Sequence, residues 1–121
     1  MEPLRVVIAQ SNPKAAEVLA ASLKKHLGPV SVASSMEELR TAIPQRRAGL
    51  AVVDLEMVPL PQVKQICREF GNVSVVCTHR LPDEEMWTSA LEAGAIDCCE
   101  NEDIRGIVEA ARRNVTTFHA A

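Results

Sequence analysis

Apolar and polar positions fall in alternating blocks along this chain. Short runs rich in β-branched residues, at positions 4–9, 30–32, 50–53, 73–77 and 96–99, are separated by segments with helical periodicity. Continuous apolar runs this short suit strands covered on both faces, as in a parallel sheet. The intervening segments carry their own start and stop signals. Ser11 or Asn12 can cap a first helix, with Pro13 in the first turn, where a missing N–H costs nothing. Val18, Leu19, Leu23 and Leu27 are expected on its inner face, and Gly28 ends it. Residues 35–38, Ser-Met-Glu-Glu, read as a capping box for a second helix that turns Leu39 and Ile43 inward.

A third helix is predicted over 61–70, stopped by Gly71. Asp83, Glu84 and Glu85 favour the positive start of a fourth, which ends at Gly94. The fifth begins near Glu102 and Asp103 and is expected to bury Ile104, Ile107, Val108 and Ala111. Strands alternating with helices imply right-handed crossovers and an open, doubly wound α/β sheet. Such folds bind ligands outside the carboxyl ends of the strands, where strand order reverses. The residues that follow each apolar run therefore matter most: Gln10, Ser11 and Asn12, then Asp54, then Thr78 and His79, then Asn101.

Composition narrows the function classes. A chain of 121 residues with 47% hydrophobic and 24% charged positions is expected to form one soluble domain with a core of its own. Aromatics are only 2%, so aliphatic side chains must fill that core. A net charge of −3 offers no electrostatic case for nucleic acid or an anionic membrane. No apolar stretch approaches a bilayer span and the N-terminus lacks the features of a signal peptide, which predicts a cytoplasmic protein. The cysteines, Cys67, Cys77, Cys98 and Cys99, follow no zinc or disulfide spacing and read as buried apolar filler.

Three stretches carry a family resemblance: AVVDLEM, in which Asp54 closes the third strand; VSVVCTHRLPDEEMW; and ALEAGAIDCCEN, which has the pattern Ala-Leu-x-x-Gly-Ala-x-Asp. In these the chain resembles the receiver domains of bacterial two-component response regulators, over nearly its whole length from Leu4 to about Val115. The resemblance implies a flavodoxin-like receiver fold, with five parallel strands in the order 2-1-3-4-5, and a phosphoacceptor at Asp54. It further implies Mg²⁺ held by an acidic pair after the first strand, a Ser or Thr after the fourth, and a Lys after the fifth. Here the acidic pair falls on Gln10 and Ser11, and the Lys on Asn101. The hydroxyl position falls on Thr78 or, by spacing back from Gly94, on His79.

Phosphoryl transfer to a carboxylate is mostly positioning and charge neutralisation. Mg²⁺ takes oxygen ligands and is typically held by one or two carboxylates. With the acidic pair replaced, Asp54 is the one carboxylate firmly placed, so Mg²⁺ is expected to bind weakly if at all and no cofactor is expected. Losing one preorganised stabiliser of a charged transition state costs about 2.7–4 kcal/mol. The leading expectation is an atypical receiver, or pseudo-receiver, that keeps Asp54 as a remnant acceptor and is not an enzyme. It would act through a signalling partner, a histidine kinase or an output protein, or through a homodimer. The resemblance points to the fourth helix, fifth strand and fifth helix as the working face, with Trp87, Glu92, Arg105, Arg112 and Arg113. Trp87 either packs half-buried or anchors the partner. The chain would work alone through that partner or as one domain of a longer protein. The alternatives are a genuine phosphoacceptor modified on Asp54 by a histidine kinase, and a thiol-based redox sensor using Cys77, Cys98 or Cys99. A flavodoxin-like enzyme is the weakest reading, since the sequence offers no glycine-rich phosphate loop and no nucleophile–base pair.

Overall fold

A computed structural model describes residues 3–120, with side chains described through residue 114. Strands and helices alternate strictly: β1 (Val6–Ala9), α1 (Pro13–His26), β2 (Val30–Ala33), α2 (Met36–Gln45), β3 (Leu50–Asp54), α3 (Leu60–Glu69), β4 (Ser74–His79), α4 (Glu84–Glu92), β5 (Asp97–Glu100) and α5 (Ile104–Ala120). The strands form one parallel sheet in the order β2-β1-β3-β4-β5. This is the predicted doubly wound arrangement, with the order reversing between β1 and β3.

Alternation along each strand divides the core in two. Val7, Val53, Val75, Cys77 and Cys98 pack on one face of the sheet with Leu39 and Ile43 of α2, Val63 and Ile66 of α3, and Ala90 of α4. Ile8, Val52, Val76 and Cys99 pack on the other with Leu19 and Leu23 of α1 and Ile107, Ala110 and Ala111 of α5. Burial on both faces explains why the strands read as unbroken apolar runs.

The caps behave as their chemistry requires. The Asn12 side chain accepts the N–H groups of Lys14 and Ala15 at the start of α1, so Asn12 rather than Ser11 is the cap. Ser35 Oγ accepts the Glu38 N–H, and the Glu38 carboxylate reaches back to the Ser34 N–H, one residue beyond the usual capping-box partner. Asp83 caps α4 through the Met86 N–H.

Several expectations are corrected. Val18 is 65% exposed, not buried. At 3.6 residues per turn it lies about 200° around α1 from Ala16, and the buried stripe is Ala16, Leu19 and Leu23. Ile104 and Leu27 are only partly buried, though both still pack against the core, and Ala110 joins Ile107, Val108 and Ala111 on the buried face of α5. The fifth strand starts at Asp97 rather than Ile96, and β4 continues through His79. The fifth helix runs to Ala120.

Candidate functional site

The carboxyl ends of β1, β3 and β4 bring together Gln10, Asp54 and Thr78, which are the buried polar residues of the molecule among those described. Their common direction follows from strand alternation. Each lies two residues beyond a side chain of the α1–α5 face (Ile8, Val52 and Val76), so all three continue that face at the sheet edge. Register completes the arrangement, because Asp54 lies opposite Thr78 across β3 and β4. Thr78 therefore stands beside Asp54 on the same face, while His79, following Cys77 by two, belongs to the α4 side. His79 Nδ1 accepts the Leu81 N–H at 3.1 Å.

Asp54 is 1% exposed, and a buried carboxylate is tolerated only when donors replace its water. Three donors do so. Ser11 supplies two to Oδ2, its N–H at 3.2 Å and its hydroxyl at 2.5 Å. The Glu56 N–H supplies the third, to Oδ1 at 3.0 Å. The backbone holds the turn as well, with the Asp54 carbonyl accepting from Met57 and Val58. The position that the resemblance assigns to an acid is thus filled by a donor, and this donor binds the carboxylate that a cation would otherwise engage.

The surrounding groups point elsewhere. Gln10 Oε1 accepts from the Asn12 N–H at 3.2 Å, which ties the β1–α1 loop together, and lies 3.4 Å from the Ser11 hydroxyl oxygen, whose proton goes to the much nearer Asp54. The Thr78 hydroxyl donates to the Val53 carbonyl at 3.4 Å. Glu56 turns its carboxylate outward to Arg80, at 2.8 Å, so neither residue supplies charge to the pocket. Asn101 follows β5 and donates its backbone N–H to the His79 carbonyl. Gln10 Nε2 and Asn101 Oδ1 are buried without a hydrogen-bond partner. Among the described residues no group of three or more His, Cys, Asp or Glu side chains is placed to hold a metal ion. One carboxylate, already bonded by a hydroxyl and two amides, is a poor match for Mg²⁺, which prefers carboxylate oxygens and resists dehydration.

The second constellation lies on the far edge of the sheet. Asp97, at the start of β5, accepts the Trp87 indole N–H from α4 at 3.1 Å and pairs with Arg113 of α5 at 3.5 Å. Its Oδ1 also accepts the Cys98 N–H at 2.8 Å. One carboxylate thus links three consecutive elements while Trp87 remains 44% exposed. Of the other residues expected on this face, Arg105 pairs with Glu109 along the exposed side of α5. Glu92 and Arg112 are partly to fully exposed on α4 and α5, respectively. Sequence reasoning met Asp97 only as the Asp of the Ala-Leu-x-x-Gly-Ala-x-Asp pattern and gave it no role on this face. The turn entering β5 uses Gly94, at φ 110°, where a Cβ would lie 2.9 Å from the Cys67 Cβ.

All four cysteines are free. Cys77 and Cys98 face each other across β4 and β5 on one face of the sheet, and Cys99 lies on the other. Burial pushes every thiol upward, most strongly Cys77, and Cys99 to about 12. The charge of Asp97 adds to the effect of burial at Cys98 and Cys99. A redox-sensing thiol needs the opposite, a depressed pKa with access to solvent.

No protein-family model matches the chain, and no curated protein matches it in sequence. Solved structures do match it in three dimensions. A response regulator from Thermotoga maritima superposes with a TM-score of 0.83 at 18% identity, covering 95% of this chain and 99% of that one. HP1043, an orphan response regulator of H. pylori, gives 0.78 at 20% identity, over 91% and 94% of the two chains. An atypical orphan response regulator with a phosphorylation-independent regulatory mechanism gives 0.80 at 20% identity, over 93% and 96%. Identities this low carry the fold alone, and the fold is that of the response-regulator receiver domain.

Proposed function

We propose that this chain is an atypical receiver module of a signalling pathway, which acts through protein binding and not through phosphorylation of Asp54. One observation carries the reading: Ser11 places both its N–H and its hydroxyl on Asp54 Oδ2, where the receiver pattern would have an acid and a cation. A phosphoryl donor approaching Asp54 meets a carboxylate already bonded by Ser11 and Glu56. It also finds neutral side chains at Gln10 and Asn101, where charge stabilisation would be needed. The working face in this proposal is α4–β5–α5. There Asp97 holds the Trp87 indole in place, half-exposed, and Arg112 is exposed on α5, while Arg105 and Arg113 pair with Glu109 and Asp97. The partner is a signalling protein that presents acidic or apolar groups to this face.

The test is intact mass after incubation with Mg²⁺ and a small phosphodonor, beside an Asp54→Asn control and an ordinary receiver labelled in parallel. The expected result is no adduct on this protein while the ordinary receiver is modified. An adduct that vanishes in Asp54→Asn would overturn the proposal and make Asp54 a working acceptor.

A further inference from the structure

The two edges of the sheet are unlike. On β5, Asp97 and Glu100 place charges along the strand, and the Cys98 N–H is already taken by the Asp97 carboxylate. Charges and occupied backbone donors are what keep an edge strand from pairing with another chain. On β2 itself no charge is present, and the one backbone donor seen taken by a carboxylate, the Ser34 N–H held by Glu38, lies just beyond the strand. Its sequence is Val-Ser-Val-Ala, without a charge, and Val32 is 46% exposed. Beside it lies an open groove of about 540 Å³, in which Ala16, Ala20 and Val32 meet the polar Gln10, Ser11 and Ser34. An uncharged edge strand carrying an exposed valine is the feature that ordinary solubility would remove.

We infer that the β2 edge is a self-association surface, on which a second copy of this chain pairs antiparallel through its own β2 about a two-fold axis normal to the sheet. A closed two-fold uses the same patch on both copies, which requires that the patch complement itself. It does so in charge. An axis normal to the sheet keeps each helix on its own face and sets α2 antiparallel to its mate. The acidic end of α2, Glu37 and Glu38, then lies toward the mate's basic end, Arg46 and Arg47. Neither Glu37 nor Arg46 has a salt bridge among the described residues, so both are available to the mate. The pairing also leaves α4–β5–α5, at the opposite edge of the sheet, open to a different partner.

Sedimentation velocity of the full chain over a concentration series tests this. The expected result is a reversible dimer, with Val32→Lys raising its dissociation constant by about tenfold or more. Val32→Thr, which keeps the β-branched shape, acts in the same direction by less. Circular dichroism confirms that each variant folds, as the exposure of Val32 leads one to expect. Glu37→Arg and Arg46→Glu each weaken the dimer at low salt, and the double variant recovers it. Trp87→Ala leaves it unchanged. A monomer at every concentration, a dimer indifferent to Val32→Lys, a charge-swapped pair no better than its single variants, or a dimer dispersed by Trp87→Ala would each overturn the inference.

Discussion

Two aspartates at opposite ends of this sheet show how placement decides what a carboxylate does. Asp54 and Asp97 each gather three interactions, and each joins neighbouring elements. Asp54 is sealed, since its donors come from the loops that enclose it and almost none of it reaches solvent. Asp97 is open, and the groups it holds, Trp87 and Arg113, face outward from α4 and α5. The first satisfies itself and leaves little for a ligand to add. The second orders surface groups that another molecule can meet.

The comparison can be broken most forcefully by restoring acids around Asp54. Gln10→Asp combined with Ser11→Asp removes the Ser11 hydroxyl donor to Oδ2 and sets two like charges beside the buried Asp54 carboxylate. This should lower stability without metal by about 3 kcal/mol. Millimolar Mg²⁺ should then recover much of the loss in urea titrations, while leaving the parent protein unaffected. If the parent were stabilised by Mg²⁺ to the same extent, its carboxylate would not be sealed.

Asp54→Ala tests the sealing from the other side. It leaves the Ser11 and Glu56 donors unpaired and should cost about 1–3 kcal/mol in chemical denaturation. An unchanged midpoint would mean that water serves those donors equally well. Ser11→Ala removes only the hydroxyl of this set, and a loss of about 1 kcal/mol is expected. A loss close to that of Asp54→Ala would instead identify the hydroxyl as the dominant donor.

The open site should respond weakly in stability and clearly in chemistry. Asp97→Asn should shift stability by less than about 1 kcal/mol, as for other solvent-accessible ion pairs. It removes a charge that keeps Cys98 and Cys99 protonated, so alkylation of these thiols, followed by peptide mass mapping, should quicken. Cys77, held up chiefly by burial, should not change. Trp87→Ala should have the smallest effect on folding, within about 1 kcal/mol by thermal melting, because the indole is half-exposed. A large loss would make Trp87 a packing residue and weaken the case for a binding face.

Much of the architecture was readable before any coordinates. The apolar runs, the capping residues Asn12, Ser35 and Asp83, and the glycines at 28 and 94 act over a few residues, and their physics is complete in the local sequence. Val18 was misplaced because a cluster of apolar letters in a helix suggests a face, whereas only the angle around the axis determines one. The candidate pocket was legible as a set of residues at strand ends but not as a set of bonds. Choosing between Thr78 and His79 requires the register of β3 against β4, and the capture of Asp54 by Ser11 joins positions 43 residues apart. Asp97 was visible as part of a pattern but its role was not, since its partners come from helices on either side of its strand.

By itself, then, the sequence determined the alternation of strands and helices, the parallel sheet and the neutral residues Gln10, Ser11 and Asn101 at its carboxyl edge. Those features rest on periodicity, local backbone chemistry and residue identity, none of which needs a distant partner. Only the tertiary structure decided that the Ser11 hydroxyl would bond Asp54, and that Asp97 would hold Trp87 at the surface. Hydrogen bonds are directional and short, and which groups come within their reach is settled only when the sheet closes its register and the helices pack onto it.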